Sequence, residues 1–161
     1  MAYTQLQTMM DPAFPPGLQV YWRSDFLKGL TDDVIDEIVR RFEGVTSPLS
    51  AVLIEQFGGA VRRVPDDETA YPHRDAEFNL AIVARWADPS DADRHTGWAR
   101  DFSEAMRPHA RGVYVNYLGL GEGADRVRAA YGSKYDRLAA LKRKYDPTNL
   151  FRLNPNVKPG S

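Results

Sequence analysis

Residues 79–86, NLAIVARW, form an unbroken apolar run of strand length. A strand without polar alternation is covered on both faces, so this one belongs at the centre of a sheet. Other runs with strand character lie on either side of it in sequence. LQVYWRSDFL, from Leu18 to Leu27, alternates and is rich in aromatics, with Val20 and Trp22 opposite Gln19, Tyr21 and Arg23. SAVLIEQF reads as a buried strand, and Gly58-Gly59 ahead of AVRRV predicts a turn into a short antiparallel partner. GVYVNYL, opening at Gly112, predicts a further strand with Val113, Val115 and Tyr117 on one face and Tyr114, Asn116 and Leu118 on the other.

Helical signals separate these runs. Thr31 is an N-cap residue type, Asp32 and Asp33 suit the positive end of a helix dipole, and Val34, Ile35, Ile38, Val39 and Phe42 make one apolar stripe. Arg40 and Arg41 complement the far end, and Gly44 supplies the stop. DPSDADRHTGWARDFSEAMRPH predicts a second helix with Trp98, Phe102, Ala105 and Met106 at helical spacing, ending before Pro108. ADRVRAAYG predicts a short helix. SKYDRLAALKRKY predicts another, with a capping-box-like start at Ser133 and Asp136 and with Tyr135, Leu138, Leu141, Lys142 and Tyr145 along one side. The order is strand, helix, three strands, helix, strand, then two helices. That order predicts an α+β fold: an antiparallel sheet covered by helices in a split-βαβ, ferredoxin-like arrangement.

A chain of 161 residues suits one domain, residues 1–161. DPAFPPG marks residues 1–17 as an extended arm, and residues 146–161 form a tail after Asp146-Pro147. Lys and Arg total 21 against 22 Asp and Glu, a net charge of −1, so nucleic acid and anionic membrane are poor partners. There is no cysteine, which excludes disulfides, thiolate catalysis and Cys-ligated metal, and fits a reducing compartment. Without a secretory start or an apolar run of about 18 residues, the expectation is a soluble cytoplasmic protein.

Local motifs are few. GLGEGA, Gly119 to Ala124, matches the glycine pattern of a dinucleotide fingerprint, but the acidic-ended second strand that such a site needs does not follow it. His73, His95 and His109 are too scattered for a metal motif, and no G-x-S-x-G elbow is present. His95 is expected in packing or capping beside Trp98. A tyrosine acts as a general base only where a cation or strong donor lowers its pKa from about 10, so Tyr114 and Tyr117 read first as structural. Asn116 can donate and accept at once, which suits the edge of a heterocycle or a backbone group.

TAYPHRDAEFNLAIVARW, YVNYLGL, AAYGSKYDRLAALKRKYDPTNLFRLNPNVKP and, near the start, YTQLQTMMDP closely resemble the C-terminal part of berberine-bridge-enzyme-like FAD-linked oxidases. These belong to the vanillyl-alcohol-oxidase type of flavoprotein. The resemblance runs along nearly the whole chain, and YDPTNLFRLNPN is its most specific element. It implies oxidation of an alcohol, sugar or amine in which FAD takes a hydride, a base takes the proton and oxygen reoxidises the flavin. It also places that base on Tyr117, and flavin contacts on Asn116 and Asn154. A position that often carries Glu or Gln near the substrate falls on Ala81, which leaves Tyr117 without its usual helper.

In that family the FAD-binding domain precedes the part resembled here, and the tail packs on it. The implied partner is an FAD-binding domain on a separate chain, or a second copy of this one. Alone, the chain is expected to bind FAD weakly or not at all and to be inactive. Two alternatives remain: a non-catalytic α+β binding or dimerisation module derived from such an oxidase, and a nucleotide site at GLGEGA.

Overall fold

In the computed structural model, which describes residues 1–9, 11–119 and 122–160, the apolar run sits where its composition demands. Strand β3 (Phe78–Trp86) lies between β1 (Gln19–Leu27) and β2 (Ala51–Gln56), and β1 carries β4 (Ala110–Gly112) on its other side. Every pairing is antiparallel, in the order β2-β3-β1-β4. Helix α2 (Asp32–Phe42) connects β1 to β2, and α4 (Ala92–Met106) connects β3 to β4. This is the split-βαβ, ferredoxin-like α+β arrangement that the order of elements predicts.

Both long helices pack on one face of the sheet. Leu27, Leu80, Ile82, Ala84 and Trp86 meet Val34 and Ile38 of α2 and Trp98, Phe102 and Met106 of α4 in one core. Each fully buried Leu, Ile or Phe there contributes about 1.5–3 kcal/mol relative to exposure. Thr31 caps α2 as expected, its Oγ1 accepting from Val34 N at 3.4 Å. The Trp98 indole donates to Arg41 O at 3.2 Å and ties α4 to the end of α2.

The register fixes what the opposite face carries. Opposed residues share a face in an antiparallel pair. One cross-strand row is therefore Trp22, Val83 and Ala51, the next Ser24, Ala81 and Leu53, and the third Phe26, Asn79 and Glu55. The two long helices leave this face free.

Four local expectations give way to the structure. SAVLIEQF is not a buried strand: β2 lies at the sheet edge and none of its residues is buried, Ile54 being 47% exposed. AVRR is a single helical turn, α3 (Ala60–Arg63), and not a strand. Phe57 N still reaches Glu77 O at 2.8 Å, but Gly58 (φ 155°) and Gly59 (φ 56°) then turn the chain off the sheet. GVYVNYL pairs with β1 only as far as Gly112, where the register shifts at Phe26/Leu27, and Val115–Tyr117 forms a 3-10 turn. The last helix, α6 (Tyr135–Tyr145), starts after a 3-10 turn at 132–134 that contains Ser133, and no side chain caps it.

Within the arm, Tyr3–Thr8 winds into a short exposed helix, α1. Helix α5 (Ala124–Tyr131) is fastened to the sheet through charge. Arg126 donates to Asp25 Oδ1 at 2.9 Å and to Ser24 O at 3.2 Å, while Ser103 Oγ of α4 donates to Asp25 Oδ2 at 3.0 Å. The tail folds back on α6, with Lys142 Nζ donating to Phe151 O at 2.6 Å and Gly160 N to Ala139 O at 3.1 Å. Among the described residues, no helix is long and apolar enough to cross a membrane.

Candidate active site

Tyr117 reaches the helix-free face of the sheet from the 3-10 turn. The turn closes as Tyr117 N donates to Tyr114 O at 2.9 Å and Leu118 N to Val115 O at 3.2 Å. Its curvature brings together the two phenols that strand alternation would have separated. Their ring centroids lie 5.4 Å apart, with the rings nearly perpendicular. The Tyr117 ring also stacks on Trp22 of β1, with centroids 5.6 Å apart and planes 25° apart. Such an offset pair adds about 0.5–1.5 kcal/mol beyond burial and fixes where the hydroxyl points.

The hydroxyl points at Glu55. Tyr117 OH donates to Glu55 Oε1 at 2.9 Å, with Oε2 at 3.2 Å. Asn79 Nδ2 donates to Glu55 Oε2 at 2.7 Å, and Asn79 Oδ1 accepts from Ser24 Oγ at 2.9 Å. Asn79 and Ser24 are fully buried. The row Phe26, Asn79, Glu55 makes the carboxylate and the amide direct cross-strand neighbours. Burial, then the hydrogen bond to Glu55, then the carboxylate's charge push the Tyr117 phenol up to about 12.

Ala81 is fully buried in the adjacent row, between Ser24 and Leu53, and brings no polar group to the face. The nearest carboxylate on this face is Glu55 of β2, one row along. Neither Glu55 nor Asn79 stood out in sequence. The available signal was a single acid in the alternation Ala51, Leu53, Glu55 of an otherwise apolar strand, and an amide at the head of the apolar run.

The two asparagines named for the flavin stand apart. Asn116 is exposed, its Nδ2 donating to Tyr114 OH at 2.8 Å, and lines a cavity of about 260 Å³ with Tyr71, His73 and Tyr131. Asn154 is exposed in the tail and lines a separate cavity of about 290 Å³ with Leu118, Glu122 and Lys158. The glycine motif loses its strand context, because a 3-10 turn precedes it; Leu120 and Gly121 within it lie outside the described residues. Glu122, ion-paired with Arg23 and Arg126, and Asp125 put negative charge at the start of α5.

Two of the histidines pack and hydrogen-bond, His73 Nε2 lying 3.0 Å from Ala129 O. His95 is buried, stacks on Trp86 with centroids 5.2 Å apart and shares a 2.8 Å hydrogen bond with Thr46. The His73 ring lies over Gly112, where a Cβ would come within 2.3 Å of its Cε1. His109 sits in the 3-10 turn after α4.

The chain is similar to known proteins in sequence and fold. Residues 113–158 match the family described as berberine and berberine like. An FAD-linked oxidoreductase of Dictyostelium discoideum is 34% identical over 161 residues, covering 98% of this chain and 34% of its own length. Berberine bridge enzyme-like 23 of Arabidopsis thaliana is 32% identical over 157 residues, covering 85% of this chain and 29% of its own. The structure of BBE-like 28 from Arabidopsis thaliana superposes with a TM-score of 0.78 at 24% identity, covering 90% of this chain and 34% of that one. The chain spans about a third of the length of the curated relatives it matches.

Proposed function

From a chain that belongs to the berberine-bridge-enzyme-like family of FAD-linked oxidoreductases, we propose that these residues form the substrate-side wall of such an enzyme, with Tyr117 receiving the substrate's proton. The observation that carries this reading is the Tyr117 hydroxyl held on Glu55, on the sheet face that the helices leave free. The substrate is an alcohol, sugar or amine whose O–H or N–H proton leaves to Tyr117. A bound flavin would supply the two-electron acceptor, taking a hydride from the adjacent carbon.

The fit to FAD is divided. Asn116 and Asn154 carry exposed amides that can donate and accept, as a flavin ring edge requires. For the diphosphate, the glycine motif lacks the strand that a nucleotide fingerprint needs, since a 3-10 turn leads into it. The nucleotide half of the cofactor is therefore held by polypeptide outside these residues, whether in the same chain or in a partner, and the chain alone is inactive. A cytoplasmic setting accords with the cysteine-free composition.

Flavin retention tests this division. Purified alone, the chain should lose flavin on gel filtration; joined to a flavin-binding polypeptide of this family, it should keep flavin absorbance and oxidise substrate. Tight stoichiometric flavin on the chain alone would overturn the division, and a colourless complex would overturn the flavin reading. A second reading, a non-catalytic module that self-associates, draws on exposed Leu150, Phe151 and Leu153 in the tail, at 67%, 74% and 92% accessibility. Colourless dimers that never take up flavin are its signature.

A further inference from the structure

Strand β2 ends the sheet on one side, and nothing in its sequence defends that edge. Native edges are blunted by lysine, proline, a bulge or a covering element. AVLIEQ has no lysine or proline, pairs with β3 residue for residue, and turns its one charge, Glu55, to Tyr117 and Asn79. Phe57 N donates to Glu77 O, so the odd-numbered residues of this strand bond to β3. The N–H and C=O groups of Val52, Ile54 and Gln56 therefore turn outward. The apolar side of α2 leans the same way: Ile35, Val39 and Phe42 are 43%, 54% and 41% exposed. Between helix and strand runs a groove of about 310 Å³, lined by Ile38, Val39, Phe42, Glu43, Val52 and Ile54.

We infer that a second copy of this chain occupies that edge, joining β2 to β2 and α2 to α2 about a two-fold axis through Ile54. In this register Ile54 faces Ile54 of the second copy and Val52 faces its Gln56, and the outward groups exchange about six main-chain hydrogen bonds. The two helices rise over the same face and run antiparallel at about 8–10 Å, with Val39 meeting Val39 and Ile35 meeting Phe42. Asp32, Asp36 and Glu43 are exposed along the rim, where water and salt screen their repulsion. The four half-exposed side chains present roughly 300 Å² of apolar surface per copy. With the main-chain edge added, the contact stays below the ~800 Å² per partner of a tight complex and within the range of transient ones, so a dissociation constant of roughly 10–100 µM is expected. Two four-stranded sheets then make one continuous sheet, with both Tyr117 networks on the same side of it.

The chain has no cysteine, so one introduced thiol reports on the pairing directly. All measurements use the full chain carrying Phe151→Ser and Leu153→Ser, which removes any association through the tail. Directly opposed residues in a bonded pair have Cα atoms about 5.5 Å apart, a spacing that a disulfide spans. Oxidised at about 200 µM, Ile54→Cys should therefore link to itself, while Val20→Cys, 48% exposed on β1, should link at least about 10-fold more slowly. Light scattering should pass from monomer near 5 µM toward dimer near 500 µM. Val39→Asp, at an exposed position, should raise the midpoint at least about 10-fold with unchanged circular dichroism. A monomer at 500 µM overturns the pairing, as does a dimer that Val39→Asp leaves intact or a Val20→Cys link as fast as that of Ile54→Cys. An Ile54→Cys thiol that never self-links, yet is shielded from iodoacetamide once a flavin-binding polypeptide of this family is added, gives the edge to that polypeptide and overturns the second copy. No readout uses flavin absorbance or turnover, so the result stands apart from the role of Tyr117.

Discussion

The Tyr117 hydroxyl is held between two demands, since the ring is stacked on Trp22 and the oxygen is aimed at a carboxylate. Stacking favours a fixed, partly dehydrated phenol, while the carboxylate keeps its proton in place until another proton arrives. Tyr117→Phe should therefore leave the fold unchanged by circular dichroism and lower turnover of a flavin-loaded complex by at least about 100-fold. Turnover within a factor of a few of the parent would remove Tyr117 from the chemistry. Gly112 carries a different residue-scale constraint. An added methyl would meet the His73 ring at 2.3 Å, and His73 itself holds φ at 62°. Gly112→Ala should cost about 1–3 kcal/mol in chemical denaturation. In a His73→Gly background, which itself loses the ring's 3.0 Å hydrogen bond to Ala129 O, Gly112→Ala should cost much less than in the parent, since the ring it meets is gone. Strictly additive losses would show that the clash is not the cause.

Helix α5 depends on a buried charge pair, and its stability should depend on pH accordingly. Asp25 is 2% exposed, and burial raises its carboxyl above the ordinary value against the pull of Arg126, Ser103 and Arg23. A carboxyl raised in the folded state favours folding below the unfolded pKa, near 3.9, and loses that contribution as pH climbs through the folded value. Arg126→Met removes the opposing cation and leaves the buried charge uncompensated, at a cost of about 3–5 kcal/mol at neutral pH. The cost should shrink as pH falls and Asp25 takes up a proton. Urea melts of parent and variant at pH 7 and pH 5 read the difference directly. A deficit of equal size at both values would show that Asp25 is not the group responsible. The helix periodicities of α2 and α4 were legible because each turns apolar residues onto one sheet, although of the α2 stripe only Val34 and Ile38 are buried and Ile35, Val39 and Phe42 stay exposed. The end of β4 was not legible. Tyr114 and Tyr117 alternate correctly for a strand, yet pairing stops at Gly112 and the two rings turn onto the same side.

At the scale of the whole molecule, the sheet divides the protein into a helix-covered face and a face that holds the polar network. Exposed Leu150, Phe151 and Leu153 add an apolar tail at the surface, which is costly to leave in water. Without a flavin-binding partner the chain should self-associate, and Phe151→Ser with Leu153→Ser should shift it toward monomer in light scattering. A parent that stays monomeric at high concentration would show that the tail does not drive association.

Sequence by itself determined the central strand and the two long helices, because NLAIVARW has no polar alternation and α2 and α4 each carry an apolar side. It also carried the resemblance to berberine-bridge-enzyme-like oxidoreductases, through segments spread from one end of the chain to the other. Tertiary structure alone decided that Glu55 on β2, Asn79 on β3, Ser24 on β1 and Tyr117 on a turn share one hydrogen-bonded path. Which residues face each other across strands depends on register and on where a turn begins. Both are set by packing between segments as far as 62 positions apart, as Glu55 and Tyr117 are.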